Sequence, residues 1–325
     1  MDLYHHIVSW PLRPYPAIGE SCGYHCWWND PALPKFNHAH PPVQELLLDI
    51  GRYWLQAGID GWRLDVADEV PAGFWLQFRR MAKEVNAEAW IIGEIWEDAQ
   101  SWLIGGHFDG VMNYRLGWSI LSWAGNKRLA RGYLNPQYPL HPLATPELIS
   151  IWQQTFSNYT PEVNRCQLNL LDSHDVPRAL RSLVGEVAAL RLALTLLFMY
   201  PGAPCIYYGT ETGLNGGPEP GCREAFPWKQ PWQENFSKLL QSLTGLRRKQ
   251  PSLRTVEPLW RAIGRHGLVG VWPVTGLTAW LNRSREDTLP IPVDQGRVVW
   301  RLVAGDTNRV SPQGVVLCQS TSSFR

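Results

Sequence analysis

The chain has 325 residues, 45% of them hydrophobic, which is enough for one large domain with a smaller one attached. Its 30 basic and 29 acidic residues leave a net charge of +1, so composition gives no reason to expect nucleic acid or an acidic membrane surface as a partner. No basic and apolar leader follows Met1, and no apolar run approaches about 18 residues, so we expect a cytoplasmic protein that is neither exported nor membrane-spanning.

Residues 1–41 are rich in proline, histidine and aromatic side chains and show no regular period, so we expect a loop-rich segment. Cys22 and Cys26 in this segment could form a bridge. The cysteines of the chain lack paired metal-ligand spacing, however, and a cytoplasmic protein keeps its thiols reduced. We therefore expect six free thiols: Cys22, Cys26, Cys166, Cys205, Cys222 and Cys318.

Residues 42–250 alternate between helical and strand patterns. Apolar residues at helical spacing predict helices over residues 42–57, 73–85, 146–156, 186–199 and 234–249. Short apolar runs bounded by turn residues predict strands over residues 61–66, 89–95, 108–113, 167–171 and 204–208. Such alternation indicates an α/β fold with a parallel sheet covered by helices.

Residues 251–325 have a different character. Short alternating runs at 267–272, 277–281, 298–302 and 315–317 are separated by turn residues. This pattern predicts a small carboxy-terminal antiparallel β domain of the sandwich type.

Acidic residues stand where three of the predicted parallel strands end. Arg63 and Asp65 are two residues apart in one strand, so their side chains share a face, and the guanidinium should keep Asp65 ionised, as a nucleophile requires. A structural ion pair is the alternative interpretation. Glu94 ends a buried strand, where burial and a nearby negative charge would raise its pKa toward that of a general acid. A helix N-cap is the alternative there.

The third acidic position is the dipeptide His174-Asp175. A neutral histidine can donate a hydrogen bond to a sugar hydroxyl, and Asp175 can stabilise positive charge at an anomeric carbon, although an Asp shortly before a proline also suits a turn. In barrels of alternating strands and helices, functional residues gather at the carboxyl ends of several strands. The three positions together therefore favour a carboxylate set for glycosidic bond cleavage.

The motifs around these residues resemble the α-amylase family of retaining glycoside hydrolases. The similar segments are Gly-Ile-Asp-Gly-Trp-Arg-Leu-Asp (58–65), Ile-Ile-Gly-Glu-Ile-Trp (91–96), Leu-Leu-Asp-Ser-His-Asp (170–175), Pro-Gly-Ala-Pro-Cys-Ile-Tyr-Tyr-Gly-Thr-Glu (201–211) and Leu-Pro-Lys-Phe-Asn (33–37). Within the family, the first 41 residues then resemble a remnant of the loop-rich domain B, and the motifs are most similar to the cyclomaltodextrinase, neopullulanase and maltogenic amylase group.

The resemblance implies a role for each site residue. Asp65 would be the nucleophile, Glu94 the general acid/base and Asp175 the transition-state stabiliser of a double displacement, with the first two carboxyls roughly 5 Å apart. It also implies substrate binding by Arg63, His174, Ile95, Trp96 and Arg223, with Ile95 and Trp96 on the acceptor side.

The chain also departs from the family pattern. Five predicted strands correspond to the last five of the eight in a (β/α)8 barrel, so we expect an incomplete TIM barrel with open edges. We expect this chain alone to be poorly soluble or inactive, and to be part of a longer enzyme. No cofactor is implied; a family calcium site and a dimerisation domain belong to upstream segments without a counterpart here. Asp172, and Glu219 where the group usually has Asp, are expected to alter sugar contacts.

Three functions remain open. The first is hydrolysis of α-1,4 and, as a further linkage, α-1,6 bonds in cyclodextrins, maltooligosaccharides or pullulan. The second is transglycosylation on the same fold, because the motifs serve transfer to sugar as well as to water. The third is a catalytically silent remnant that binds glucan or pairs with another chain.

Overall fold

The structure is a computed structural model that describes residues 8, 22–130, 140–232, 234–292 and 295–320, with the backbone alone at 29, 234 and 235. About half of the predicted segment 1–41, and the last five residues of the predicted carboxy-terminal domain, lie outside the described residues. The chain divides into two compact units, Met1–Val111 and Met112–Arg325. Within the described ranges, no helix combines the length and the apolar character needed to cross a membrane.

The first unit contains parallel strands with helices between them. Its elements are α1 (Pro41–Gln56), β1 (Gly61–Leu64), α2 (Ala72–Val85), β2 (Trp90–Gly93), α3 (Gln100–Ile104) and β3 (Gly110–Asn113), which continues into the second unit. β1 runs parallel to β2 with Arg63 opposite Ile92, and β2 runs parallel to β3. α1 begins with two prolines, which lack the N–H that a first helical turn leaves unpaired.

The second unit continues the alternation. Its helices are α4 (Tyr114–Gly125), α5 (Thr145–Phe156), α6 (Pro161–Cys166), α7 (Ala179–Ser182), α8 (Val187–Met199), α9 (Glu234–Lys249) and α10 (Ser252–Thr255). Two further parallel strands, β4 (Leu168–Leu170) and β5 (Ala203–Cys205), pair with β3 and with each other. The predicted α/β fold with parallel strands of an incomplete barrel is therefore confirmed.

The strands differ in burial in a way that follows their pairing. Within the described residues, β1 pairs only with β2, and β5 pairs only with β4. The first three residues of β1 and all of β5 are half-buried, whereas β3 is fully buried. Each outer strand thus has a backbone edge without a strand partner among these residues.

The carboxy-terminal part of the second unit is antiparallel, as expected. Its strands are β6 (Leu259–Ile263), β7 (Gly267–Trp272), β8 (Leu277–Asn282), β9 (Leu289–Pro290), β10 (Arg297–Arg301), β11 (Arg309–Val310) and β12 (Gly314–Gln319). Five strands form one sheet in the order β10-β12-β8-β7-β6, and β11 pairs with β9. A core that includes Trp280, Val316, Val310 and Ile291 joins the sheet to that pair.

One long helix, α4, has no counterpart among the predicted elements. Ten of its twelve residues are buried, including Gly117, Ile120 and Trp123. Burial alone does not explain this, because α8 is also buried at ten of its thirteen residues and was predicted. α4 begins directly after β3, so no turn residues mark where the strand ends and the helix begins. The strands β1, β4 and β5 also end earlier than predicted, so Asp65 lies just beyond β1.

Replacing Gly117 by alanine is expected to destabilise the second unit by about 3 kcal/mol, because overpacking at a backbone contact cannot relax easily. A Cβ at this position would lie 2.0 Å from the carbonyl oxygen of Leu170, so α4 and β4 would have to separate. Urea unfolding followed by circular dichroism measures the change. Gly245 in α9 is the matched control, because its Cβ would meet nothing within 4 Å and alanine there should stabilise by roughly 0.5–1 kcal/mol. Equal effects of the two substitutions would contradict the packing argument.

Candidate active site

A single guanidinium joins the first two carboxylates of the predicted set. Arg63 in β1 forms an ion pair through Nη1 with Asp65 Oδ1 and through Nη2 with Glu94 Oε1, the latter at 2.7 Å. The pairing of β1 with β2 makes this possible, because it places Arg63 opposite Ile92 and brings the ends of both strands to one edge. The structure therefore brings Arg63, Asp65 and Glu94 together.

The two carboxylates differ sharply in their access to solvent. The Asp65 side chain is 73% exposed, whereas the Glu94 side chain is 5% exposed. An exposed carboxylate can meet an incoming molecule directly, whereas a buried one exchanges protons in a less polar surrounding. This asymmetry is what two carboxylates with different tasks require.

Hydrogen bonds from main-chain N–H groups hold the turn after Asp65 against Glu94. Val66 adopts a left-handed conformation with φ 40° and ψ 52°, which is unfavourable for a β-branched residue. Its N–H donates to Glu94 Oε2 at 3.1 Å, and the N–H of Glu94 donates to Leu64 O at 2.9 Å. No sequence pattern predicts a valine at positive φ, so this support of Glu94 was missed.

The segment similar to the family's domain B motif contacts the same region. Lys35 Nζ forms an ion pair with Glu69, which ends the short 3₁₀ turn after Asp65. Of the two residues expected on the acceptor side, Ile95 is buried and Trp96 is half-buried. Their roles stay predictions.

A second group of predicted residues meets in the second unit. His174 Nε2 lies 3.0 Å from Asp175 Oδ2, and Arg223 Nη2 lies 3.1 Å from Asp175 Oδ1. Arg223 Nε also donates to the carbonyl of His174 at 3.0 Å. Asp175 therefore has a charged or polar partner on each carboxylate oxygen, and Arg223 holds the main chain beside it.

Two residues near Arg223 support this group. Glu219, one of the departures from the family pattern, is exposed and its Oε1 lies 3.0 Å from Arg223 Nη2. The thiol of the buried Cys222 donates to the carbonyl of His174 at 3.0 Å.

All six cysteines are free, as predicted, and the Sγ atoms of Cys22 and Cys26 lie 3.9 Å apart.

Asp172 is buried beneath the loop that carries His174 and Asp175. We expected this residue to alter sugar contacts, and because it is only 3% exposed it can do so only through its neighbours. Its Oδ2 accepts hydrogen bonds from the N–H of Ala179 at 2.8 Å and from the Thr210 hydroxyl at 3.1 Å. Burial raises the pKa of its carboxyl to about 6, although these hydrogen bonds and Arg178 act in the opposite direction.

Arg178, which sequence reasoning did not single out, is fully buried beside this carboxylate. Its guanidinium carbon lies 4.1 Å from the ring centroid of Tyr207 and 4.5 Å from that of Tyr208, and Nη1 donates to the Tyr208 carbonyl. A buried arginine stacked on two aromatic rings is a strong packing element. Only its position, three residues after Asp175, could have drawn attention to it.

The chain is similar to enzymes of one family. Residues 19–251 match the family model described as the alpha amylase catalytic domain. A cyclomaltodextrinase of Bacillus sp is 38% identical over 77% of this chain and 42% of its own length. Neopullulanase 2 of Thermoactinomyces vulgaris is 38% identical over 69% of this chain and 36% of its own, and an intracellular maltogenic amylase of Bacillus subtilis is 35% identical over the same shares.

Solved structures show the same similarity. Ttha1563 of Thermus thermophilus superposes with a TM-score of 0.87 and 36% identity, covering 98% of this chain and 70% of that protein. The Nostoc punctiforme debranching enzyme superposes with a TM-score of 0.86 and 32% identity, covering 98% of this chain and 69% of that enzyme. The chain spans less than half the length of the three curated relatives named above.

Proposed function

Because the chain belongs to the α-amylase family, we propose that it carries the catalytic carboxylates of a retaining glycoside hydrolase acting on α-glucans. The bonds cleaved are α-1,4 glucosidic bonds, with α-1,6 bonds as a further linkage, in cyclodextrins, maltooligosaccharides or pullulan. The observation that carries the proposal is the pairing of Asp65 and Glu94 with the one guanidinium of Arg63. The names of the relatives, a cyclomaltodextrinase and a neopullulanase, support this substrate class.

In the proposed reaction, Asp65 attacks the anomeric carbon while Glu94 protonates the leaving oxygen. Glu94 then takes a proton from a water molecule, which attacks the anomeric carbon of the glycosyl-enzyme and releases the sugar from Asp65. The exposure of Asp65 suits the attacking group and the burial of Glu94 suits the proton carrier. The guanidinium of Arg63 offsets the negative charge of both carboxylates. This attraction becomes stronger when a bound sugar excludes water, because charges interact more strongly in a less polar medium.

Asp175 would stabilise positive charge at the anomeric carbon, with His174 and Arg223 placing it and binding sugar hydroxyls. The contacts of both residues with Asp175 support that assignment. Ile95 and Trp96 are proposed to line the acceptor side. A transglycosylase of the same fold would use the same residues, so only the acceptor distinguishes the two functions.

We also propose that these residues act within a longer polypeptide in the cytoplasm. The chain spans 42% of one curated relative and 36% of another, and the latter is named an intracellular enzyme. The proposed reaction uses no cofactor. The calcium site and the dimer expected from the resemblance concern that longer polypeptide and stay predictions.

Incubation of the longer polypeptide with β-cyclodextrin, maltoheptaose or pullulan is expected to release products that first appear as the α-anomer, because two inversions give net retention. Proton NMR within the first minutes of reaction measures the anomer. First release of the β-anomer would overturn the assignment of Asp65 as a nucleophile. Addition of glucose as an acceptor distinguishes the two functions. A transglycosylase transfers the glycosyl unit to glucose and forms a longer oligosaccharide, whereas a hydrolase transfers it to water. Binding of maltoheptaose without any product would favour the silent remnant.

A further inference from the structure

Asp172 lies at the start of the loop that carries the third carboxylate. The loop leaves β4 after Leu170 and enters α7 at Ala179, with His174 and Asp175 between them. The buried Asp172 carboxylate accepts the N–H of Ala179 at 2.8 Å, so it joins the first residues of the loop to the last. The same carboxylate accepts the Thr210 hydroxyl at 3.1 and 3.3 Å, which ties the loop to the segment after β5.

A second connection runs through the neighbouring arginine. The N–H of Arg178 donates to Gly216 O at 3.0 Å, and its Nη1 donates to the Tyr208 carbonyl. Both Asp172 and Arg178 therefore fasten the loop to residues 208–216. Asp175 and His174 stand between these two anchors and are themselves half-buried.

We propose that Asp172 is a positioning residue whose buried acceptor oxygens hold His174 and Asp175 in place for the reaction. The residue touches no substrate, and it acts through the loop that it closes. What the loop needs from Asp172 is an acceptor for the Ala179 N–H and a partner for the Thr210 hydroxyl. An asparagine supplies both, whereas an alanine supplies neither.

The proposed task needs the acceptor oxygens of Asp172 and not its negative charge, and burial disfavours that charge. Arg178 attracts the charge and Glu211 repels it, and burial raises the pKa of the carboxyl from 3.8 to about 6. The pKa of the Cys205 thiol is raised mainly by burial and, to a smaller extent, by the negative charge of Asp172. Because the folded state binds the proton more tightly than the unfolded state, this group makes the protein more stable as the pH falls from above 6 toward 4.

The first test is the NMR spectrum of His174 in the protein with labelled histidines, assigned by the resonance that disappears in His174→Gln. Asp172→Ala is expected to shift the ring Cε1–H resonance of His174, and Asp172→Asn to leave it near its wild-type position. Thr210→Val, which removes one of the two partners, keeps the test available if the alanine variant does not fold. An unchanged His174 resonance in a folded Asp172→Ala or in Thr210→Val would overturn the proposal.

The second test uses turnover and pH. Loss of positioning should lower kcat of Asp172→Ala by up to about 10²-fold with little change in KM, and Asp172→Asn should restore it. In the wild-type protein, protonation of Asp172 should raise the folding equilibrium constant roughly 10²-fold as the pH falls from 7 to 3.5. Asp172→Asn should remove this increase, and urea unfolding at the two pH values measures it. A kcat equally reduced in both variants, or an unchanged pH profile of stability in Asp172→Asn, would contradict the acceptor role.

This inference rests on the proposed function, but the two fail separately. If the longer polypeptide shows no turnover while the His174 resonance responds as expected, the glycosidase proposal fails and the loop-holding role of Asp172 stands. If turnover is present and Asp172→Ala retains both kcat and the His174 resonance, the positioning role fails and the proposed function stands.

Discussion

Replacing Asp65 by asparagine is expected to lower kcat for maltoheptaose or β-cyclodextrin hydrolysis by roughly 10⁴-fold or more, because removal of a catalytic nucleophile costs this order of rate. The side chain keeps its size and its place beside Arg63, but an amide cannot form the glycosyl-enzyme. Because Asp65 is exposed, its substitution should perturb folding too little to account for so large a loss. Initial rates from reducing-sugar release, with equal amounts of folded protein, give the comparison.

Asp60 provides the matched control. Asp60 directly precedes β1, Asp65 directly follows it, and both are exposed, so Asp60→Asn changes the charge by the same amount at the other end of the same strand. We expect this variant to keep wild-type kcat and KM. Comparable losses in both variants would indicate a general charge or folding effect, and full activity of Asp65→Asn would remove Asp65 from the mechanism. The measurement is made on the form of the protein that shows turnover in the anomer experiment.

Replacing Arg247 by methionine is expected to destabilise the second unit by about 3–5 kcal/mol, since it leaves several buried carbonyl groups without a donor. Nη1 of this buried residue donates to the carbonyls of Phe198, Tyr200 and Leu253 at 2.6, 2.9 and 3.1 Å, and Nη2 donates to Gly202 O at 2.6 Å. These acceptors lie around the carboxyl end of α8, where a helix leaves its last carbonyls unpaired. Burial lowers the pKa of Arg247 to about 10, so it stays protonated at neutral pH.

Arg248→Met is the control for this prediction. Arg248 is the next residue of α9 and is exposed, so methionine there removes the same charge without removing buried hydrogen bonds. Its expected effect is within about 0.5 kcal/mol, as for most surface substitutions. Urea unfolding curves of the two variants decide the matter. A midpoint for Arg247→Met near that of the control would show that water or other donors satisfy these carbonyls.

The alternation of helices and parallel strands could be predicted because it depends on short-range patterns. The helix predicted over residues 42–57 is α1, and the strand predicted over 108–113 contains β3. Where the pattern is absent, prediction failed. α4 follows β3 without turn residues that would mark the boundary, and the two-residue strands β9 and β11 are too short to show alternation.

The candidate site was predictable in its residues and less so in its supports. The motif around Asp65 placed Arg63 two residues away, and the two side chains do form an ion pair, even though β1 ends at Leu64. The left-handed turn at Val66 has no signature in sequence, because a β-branched residue avoids that conformation unless the surrounding structure imposes it. The hydrogen bond from Val66 to Glu94 was therefore found only in the structure.

The sequence by itself determined the α/β class and the antiparallel carboxy-terminal strands, and it indicated which carboxylates to consider, because periodicity and motifs are properties of neighbouring residues. Only the tertiary structure decided that Arg63 reaches Glu94 as well as Asp65, since that contact follows from the register of β1 against β2. It also decided that Asp172 is buried and bonded to the N–H of Ala179. Burial and register depend on residues far apart in the chain, and no local pattern records them.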